Sequence, residues 1–238
     1  MNITTDDLNY KAMREKLPYS SSFNGLYYYA KTIEQHIMPR VETDRPWNTI
    51  GLRACGGYDR MIVFIHSNSD TAQYVWLNRH KDIVIVSGAR QTYEKMKQFG
   101  FSVYLPLSCD IDEIRAFGKG IKKDQEACFM GNPWPMYQDE IEKYVPPEVH
   151  RFGTMPREKL LPIVAHYKTV YAIGCSAVEA RALGCEIKKR SDKYDPSDFP
   201  LFDCADAAKC LQRALELTNS KSYVDCTELE EYQQKAPR

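Results

Sequence analysis

The sequence predicts an α/β protein built on parallel sheets, and three observations carry that prediction. Short apolar runs bounded by turn residues recur along the chain, at 61–65 (MIVFI), 82–86 (DIVIV) and 101–105 (FSVYL). Stretches with apolar residues at three- and four-residue steps lie between them, and this alternation is the pattern of a parallel sheet covered on both faces. The third observation is a later run, Val170-Tyr171-Ala172-Ile173, that breaks at Gly174-Cys175 and passes into a helix-forming segment. A strand, a glycine turn and a helix in that order are the local form of a nucleotide-fold half.

The composition sets bounds on function. A chain of 238 residues, 43% apolar and 27% charged, has the make-up of a globular protein of one large domain or two small ones. Lys plus Arg and Asp plus Glu number 32 each, so no global field draws the chain to nucleic acid or to an anionic membrane. Local basic runs stand at Lys119, Lys122, Lys123 and at Lys188-Lys189-Arg190. No apolar run approaches the ~20 residues of a membrane span. The eight cysteines are scattered without a CxxC pair or zinc-finger spacing, and no secretory leader precedes them. They read as reduced thiols of a cytoplasmic protein, and no structural metal is expected.

The elements follow in order. The first twenty residues are polar and carry no clear assignment. Ser22, Asn24 and Gly25 then form a turn before a helix with Leu26, Tyr29, Ile33 and Ile37 on its apolar face, closed by Pro39. Tyr27-Tyr28-Tyr29 are a half-buried face of that helix or a platform on which a sugar stacks. Thr49–Cys55 is a weak strand. The strand 61–65 is far clearer and runs into His66-Ser67-Asn68-Ser69-Asp70, where open α/β sheets place their sites. His66 is therefore the candidate catalytic base, against an ordinary loop histidine. Helices are expected at 71–78 and 91–99, the latter capped by Gly100.

After the strand 101–105, Asp110-Ile111-Asp112 has two readings. It is a DxD metal and diphosphate site, or Asp110 is a helix N-cap with Glu113 three residues on as its partner. The stretch 119–123 is an interdomain crossing, which divides the chain into lobes at 1–118 and 119–238. The second lobe opens with the strand 127–130, ending at Gly131. A helix at 136–144, a short strand at 149–152 and a helix starting at Pro156 follow. Beyond the strand-glycine-helix segment, a last helix starts at Asp203 or Ala205, and the final twenty residues are a polar surface helix or tail.

The strand-glycine-helix segment, 170–187, carries the densest chemistry. Ser176 and Glu179 have capping-box spacing, Ala177, Ala180, Ala182 and Leu183 favour helix, and Gly184 stops it. A helix N-terminus after a glycine turn offers backbone N–H groups and a positive dipole end to a diphosphate. Glu179, one turn in, is placed to accept both hydroxyls of a ribose, provided a capping bond does not occupy it. The alternative is that Ser176 and Glu179 do no more than cap a structural helix.

From Ser20 to Thr218 the order of these signals resembles the glycosyltransferases of the GT-B fold. The resemblance rests on Asn24-Gly25, on Leu105-Pro106-Leu107 through Asp110 and Asp112, on Phe129-Met130-Gly131, and on Glu179-Ala180-Arg181-Ala182-Leu183-Gly184. It implies two Rossmann-like parallel-sheet lobes with a cleft between them. Asn24, Gly25, Ser67 and Asn68 would lie on the acceptor side, and Gly131 on the donor side. Gly174, Cys175, Ser176 and Ala177 would hold the donor diphosphate, Glu179 the ribose, and Phe152-Gly153-Thr154 the nucleobase. Two departures stand out: Tyr171 occupies the place of a second family glutamate, and no Arg or Lys follows Gly131, where Asn132-Pro133-Trp134 stand.

The resemblance implies a metal-independent transferase with no cofactor beyond a nucleotide-sugar co-substrate, most plausibly a uridine one. The acceptor is a glycan, a small metabolite or a modified base in DNA. The shortened first half leaves its acceptor side either open or completed by a partner, a second copy of the chain included. The other readings are a nucleotide-sugar binding protein that has lost turnover, a nucleotide-sugar epimerase of the same shape, and a DxD-type metal enzyme.

Overall fold

The computed structural model describes residues 29–49, 60–65, 82–131, 138–152 and 155–233. In chain order the strands are β1 Trp47–Thr49, β2 Arg60–Ile65, β3 Asp82–Ser87, β4 Phe101–Tyr104, β5 Gln125–Phe129, β6 His150–Arg151, β7 Tyr167–Tyr171, β8 Glu186–Lys188 and β9 Tyr223–Asp225. The α-helices are α1 Arg90–Met96, α2 Ile111–Gly118, α3 Gln138–Tyr144, α4 Arg157–Val164, α5 Cys175–Ala182, α6 Cys204–Glu216 and α7 Glu230–Gln233.

The chain divides into two compact units, one taking Tyr29–Pro106 together with the chain from Cys204 onward, the other Leu107–Asp203. The division differs from the 118/119 boundary expected from sequence. It falls ahead of α2, and the chain returns to the first unit at α6. The Gly-Lys stretch at 119–123 is therefore an internal connection of the second unit.

The first unit holds a five-stranded parallel sheet in the order β1-β2-β3-β4-β9. The apolar runs of β2 and β3 are buried on both faces, as continuous rather than alternating hydrophobicity requires. Met61, Val63, Ile65, Ile83 and Ile85 pack with Met96 of α1 on one face. Ile62, Phe64, Val84 and Val86 are equally buried on the other, where the Trp47 ring meets Phe64 edge-on at 6.1 Å. The first strand is β1 at Trp47–Thr49 rather than 49–55, of which 50–55 lie outside the described residues, as does the helix expected at 71–78. Lys97, not Gly100, caps α1.

The last residues are a further correction. Expected as a polar surface helix or tail, they do include the short helix α7 but first add β9 to the sheet beside β4, with Val224 and Cys226 buried. Three residues of strand hold too little periodicity to be seen in sequence; the exposed edge of β4 selects them.

The second unit has a four-stranded parallel sheet in the order β6-β5-β7-β8. Phe129 packs with Ile141 and Val145 of α3 and with Val149, flanked by Ala127 and Tyr171. Right-handed crossovers place α4 and α5 on the opposite face from α3, and α2 packs against both of them. Asp110 does cap α2, its carboxylate accepting the Glu113 N–H at 2.9 Å. The seven described cysteines form no disulfide, and Cys55 lies outside the described residues. No helix among the described residues is long and apolar enough to cross a membrane.

Candidate functional site

The strand order of the second unit locates its site. The chain leaves β5 toward β6 on one side and leaves β7 toward β8 on the other, so the strand order reverses between β5 and β7. Open α/β sheets bind ligands in the crevice outside the carboxyl ends at such a reversal. Those ends are Met130-Gly131 after β5 and Ala172-Ile173-Gly174 after β7, which the Met130 N–H to Tyr171 carbonyl bond ties together at 3.1 Å. The first sheet, with its sequential order, has no such reversal among its described strands.

Gly174 is the N-cap of α5, with φ 65° and ψ −144°, and no side chain caps the helix. The capping box expected between Ser176 and Glu179 is absent, because the helix begins one residue earlier, at Cys175. The Gly174 backbone conformation is one that essentially only glycine adopts, and a Cβ there would meet nothing within 4 Å. The turn is strained yet open above. Ile173 through Ser176 are half-buried, whereas Ala177 is fully buried and its N–H already donates to the Gly174 carbonyl at 3.0 Å. Of the residues expected at a diphosphate, 174–177, the Ala177 N–H is already engaged within the turn.

Glu179 lies one turn further along α5, its side chain 8% exposed. Arg157, the first residue of α4, donates through Nε to Glu179 Oε1 at 2.7 Å and through Nη1 to Glu113 Oε1 at 3.2 Å. Burial lifts the Glu179 carboxyl above the usual carboxylate range, against the opposing pull of the Arg157 guanidinium. Glu179 is thus held by Arg157.

The cation that the sequence does not supply after Gly131 comes from elsewhere in the chain. Arg190, two residues beyond β8, is buried, with its guanidinium 4.8 Å above the Phe129 ring. A Cβ on Gly131, whose φ is +147°, would collide with Arg190 Nη1. From β8 to β5 is two strand spacings, about 10 Å, so the side chain crosses the carboxyl end of β7, the strand that continues into Gly174. A buried guanidinium stands at the carboxyl end of β5 and a helix N-terminus without a side-chain cap follows β7, the neighbouring strand, and both favour an anion. Gly131→Ala is accordingly expected to displace the guanidinium and weaken inorganic pyrophosphate binding about tenfold, with about 1–3 kcal/mol of backbone strain in its melting curve. Unchanged calorimetric affinity would remove Arg190 from the site.

No family model, curated protein or solved structure matches this chain. The site stands on its own geometry. Phe152 is not brought to it: its ring packs on His150 at 4.5 Å and on Tyr167 at 5.8 Å, and Tyr167 opens β7 at the amino end. Tyr171, at the second-glutamate position, packs against the Phe129 cluster. His66, Ser67, Asn68, Asn24, Gly25, Gly153 and Thr154 lie outside the described residues. The sequence shows Arg190 only as part of a local basic run, Lys188-Lys189-Arg190. Its burial, against exposed Lys188 and Lys189, is what separates it from them.

Proposed function

We propose that the chain is a GT-B-type glycosyltransferase that takes a sugar from a nucleoside diphosphate donor, a uridine donor first, with its second unit holding the diphosphate. The observation that carries this reading is the Arg190 guanidinium seated on Gly131 and over the Phe129 ring at the carboxyl end of β5, the strand paired with the one that leads into α5. In transfer the bond between the sugar C1 and the β-phosphate oxygen breaks, and negative charge grows on the departing diphosphate. Arg190 and the first turn of α5 are the groups placed to stabilise it, a role in which one lost donor typically costs about 10²–10³ in rate. They take the place a divalent ion holds in DxD enzymes, and Asp110 is engaged instead as the cap of α2. His66 is the base that the sequence nominates for the acceptor hydroxyl.

The test is turnover of UDP-hexoses with and without glycan, small-metabolite and DNA acceptors, in the presence of a chelator. Release of UDP that depends on one acceptor is the expected result. An epimerised sugar nucleotide formed without any acceptor would overturn transfer in favour of epimerisation, and binding with no product at all would leave a binding protein.

A further inference from the structure

Three helices of the second unit start at the carboxyl end of its sheet, on the same face, and each brings one charged group to a single cluster. Glu113 lies in the first turn of α2, Arg157 opens α4, and Glu179 is in the second turn of α5. Their side chains are 43%, 12% and 8% exposed, so the guanidinium joins a buried carboxylate to a solvated one. Glu179 follows Ser176 by three residues, which puts its side chain on the same helix face within about 6 Å. Arg157 is therefore a neighbour of the anion position without being part of it.

We infer that Arg157 is a gate that couples recognition of the ligand's phosphate to recognition of its vicinal hydroxyls. In the empty site Arg157 holds Glu179. When phosphate occupies the first turn of α5, the guanidinium turns toward it, still tethered by Glu113, and the ligand's two hydroxyls take over the Glu179 carboxylate. A buried carboxylate deprived of its partner is destabilising, so the gate opens fully only for a ligand that supplies both parts. Pyrophosphate alone has to pull Arg157 from a carboxylate that nothing then satisfies. The gate rests on the diphosphate reading of the site and specifies which diphosphates it accepts: those with a ribose diol alongside.

Calorimetry on the intact chain with inorganic pyrophosphate, UDP and 2′,3′-dideoxy-UDP tests this. The parent is expected to prefer UDP over the dideoxy form by about tenfold or more, within the usual range of coupling between sites. Glu179→Gln, a neutral isostere, is expected to abolish that preference and to bind pyrophosphate about three- to tenfold more tightly, because Arg157 is released to it. In Arg157→Gln/Glu179→Gln the gain disappears, which separates the gate from simple removal of a nearby negative charge. If pyrophosphate binds no more tightly to Glu179→Gln than to the parent, or if the gain survives in the double variant, the gate is wrong while UDP binding still stands. If neither UDP nor pyrophosphate binds the parent, the diphosphate reading falls and the gate with it.

Discussion

Replacing Arg190 by Met is expected to weaken UDP binding by about 10- to 150-fold, the range of the ~1.5–3 kcal/mol carried by hydrogen bonds to a charged group. Met retains an unbranched apolar chain over the Phe129 ring and against Gly131, so packing is largely kept. It also relieves the protein of a buried guanidinium, whose desolvation costs several kcal/mol. The variant should therefore lose affinity while remaining folded in the absence of denaturant. That pairing distinguishes a residue kept for binding from one kept for the fold. Lys189→Ala, two-fifths exposed beside it, should change UDP affinity less than twofold. Arg190→Lys is not expected to restore binding, because a single ammonium does not reproduce the guanidinium's planar fork. Calorimetry and urea unfolding read both quantities, and parent-like affinity in Arg190→Met would contradict the site.

The second large effect is on stability. Arg157→Ala leaves Glu179 buried without its cation, a change that costs about 3–5 kcal/mol. Protonation limits the loss: at pH 7, neutralising a carboxyl whose ordinary pKa is ~4.3 costs about 4 kcal/mol. The sign of the pH dependence follows. Glu179 titrates above its ordinary range in the folded chain, so between the unfolded and folded pKa values the folded state holds the extra proton. Stability then falls as pH rises through that interval and is level on either side. Removing Arg157 raises the folded value further, so the interval widens upward. Urea unfolding should show the deficit of Arg157→Ala largest at neutral pH and shrinking toward pH 4. Adding Glu179→Gln should recover most of it. A deficit independent of pH would mean that Arg157 stabilises through packing alone.

Much of the fold was legible because burial writes itself into composition. The runs MIVFI and DIVIV belong to strands covered on both faces, and no polar face interrupts them. The strand-glycine-helix order at 170–184 was legible for the same reason, and Gly174 and Gly184 both adopt the positive φ that makes glycine necessary. What was misread depended on contacts distant in sequence. Ser176 and Glu179 have the spacing of a capping box, but the helix begins at Cys175, so Ser176 is not its cap, and Glu179 pairs instead with Arg157 of α4. Arg190 meets Gly131 only because β7 and β8 lie in order beside β5. The strand β9 exists only because β4 offers an edge. Phe152 sits in the predicted loop, yet its ring turns back onto Tyr167, an apolar contact that periodicity does not reveal.

On the proposed reading, the crevice between β5 and β7 holds a nucleoside diphosphate without a metal. Calorimetric titration of the parent chain with UDP, GDP and CDP, each with and without chelator, tests it most directly. One of the three, UDP first, is expected to bind with the same affinity in both conditions, and Arg190→Met is expected to lose that binding. Absence of binding by all three, or binding that chelation abolishes, would contradict it.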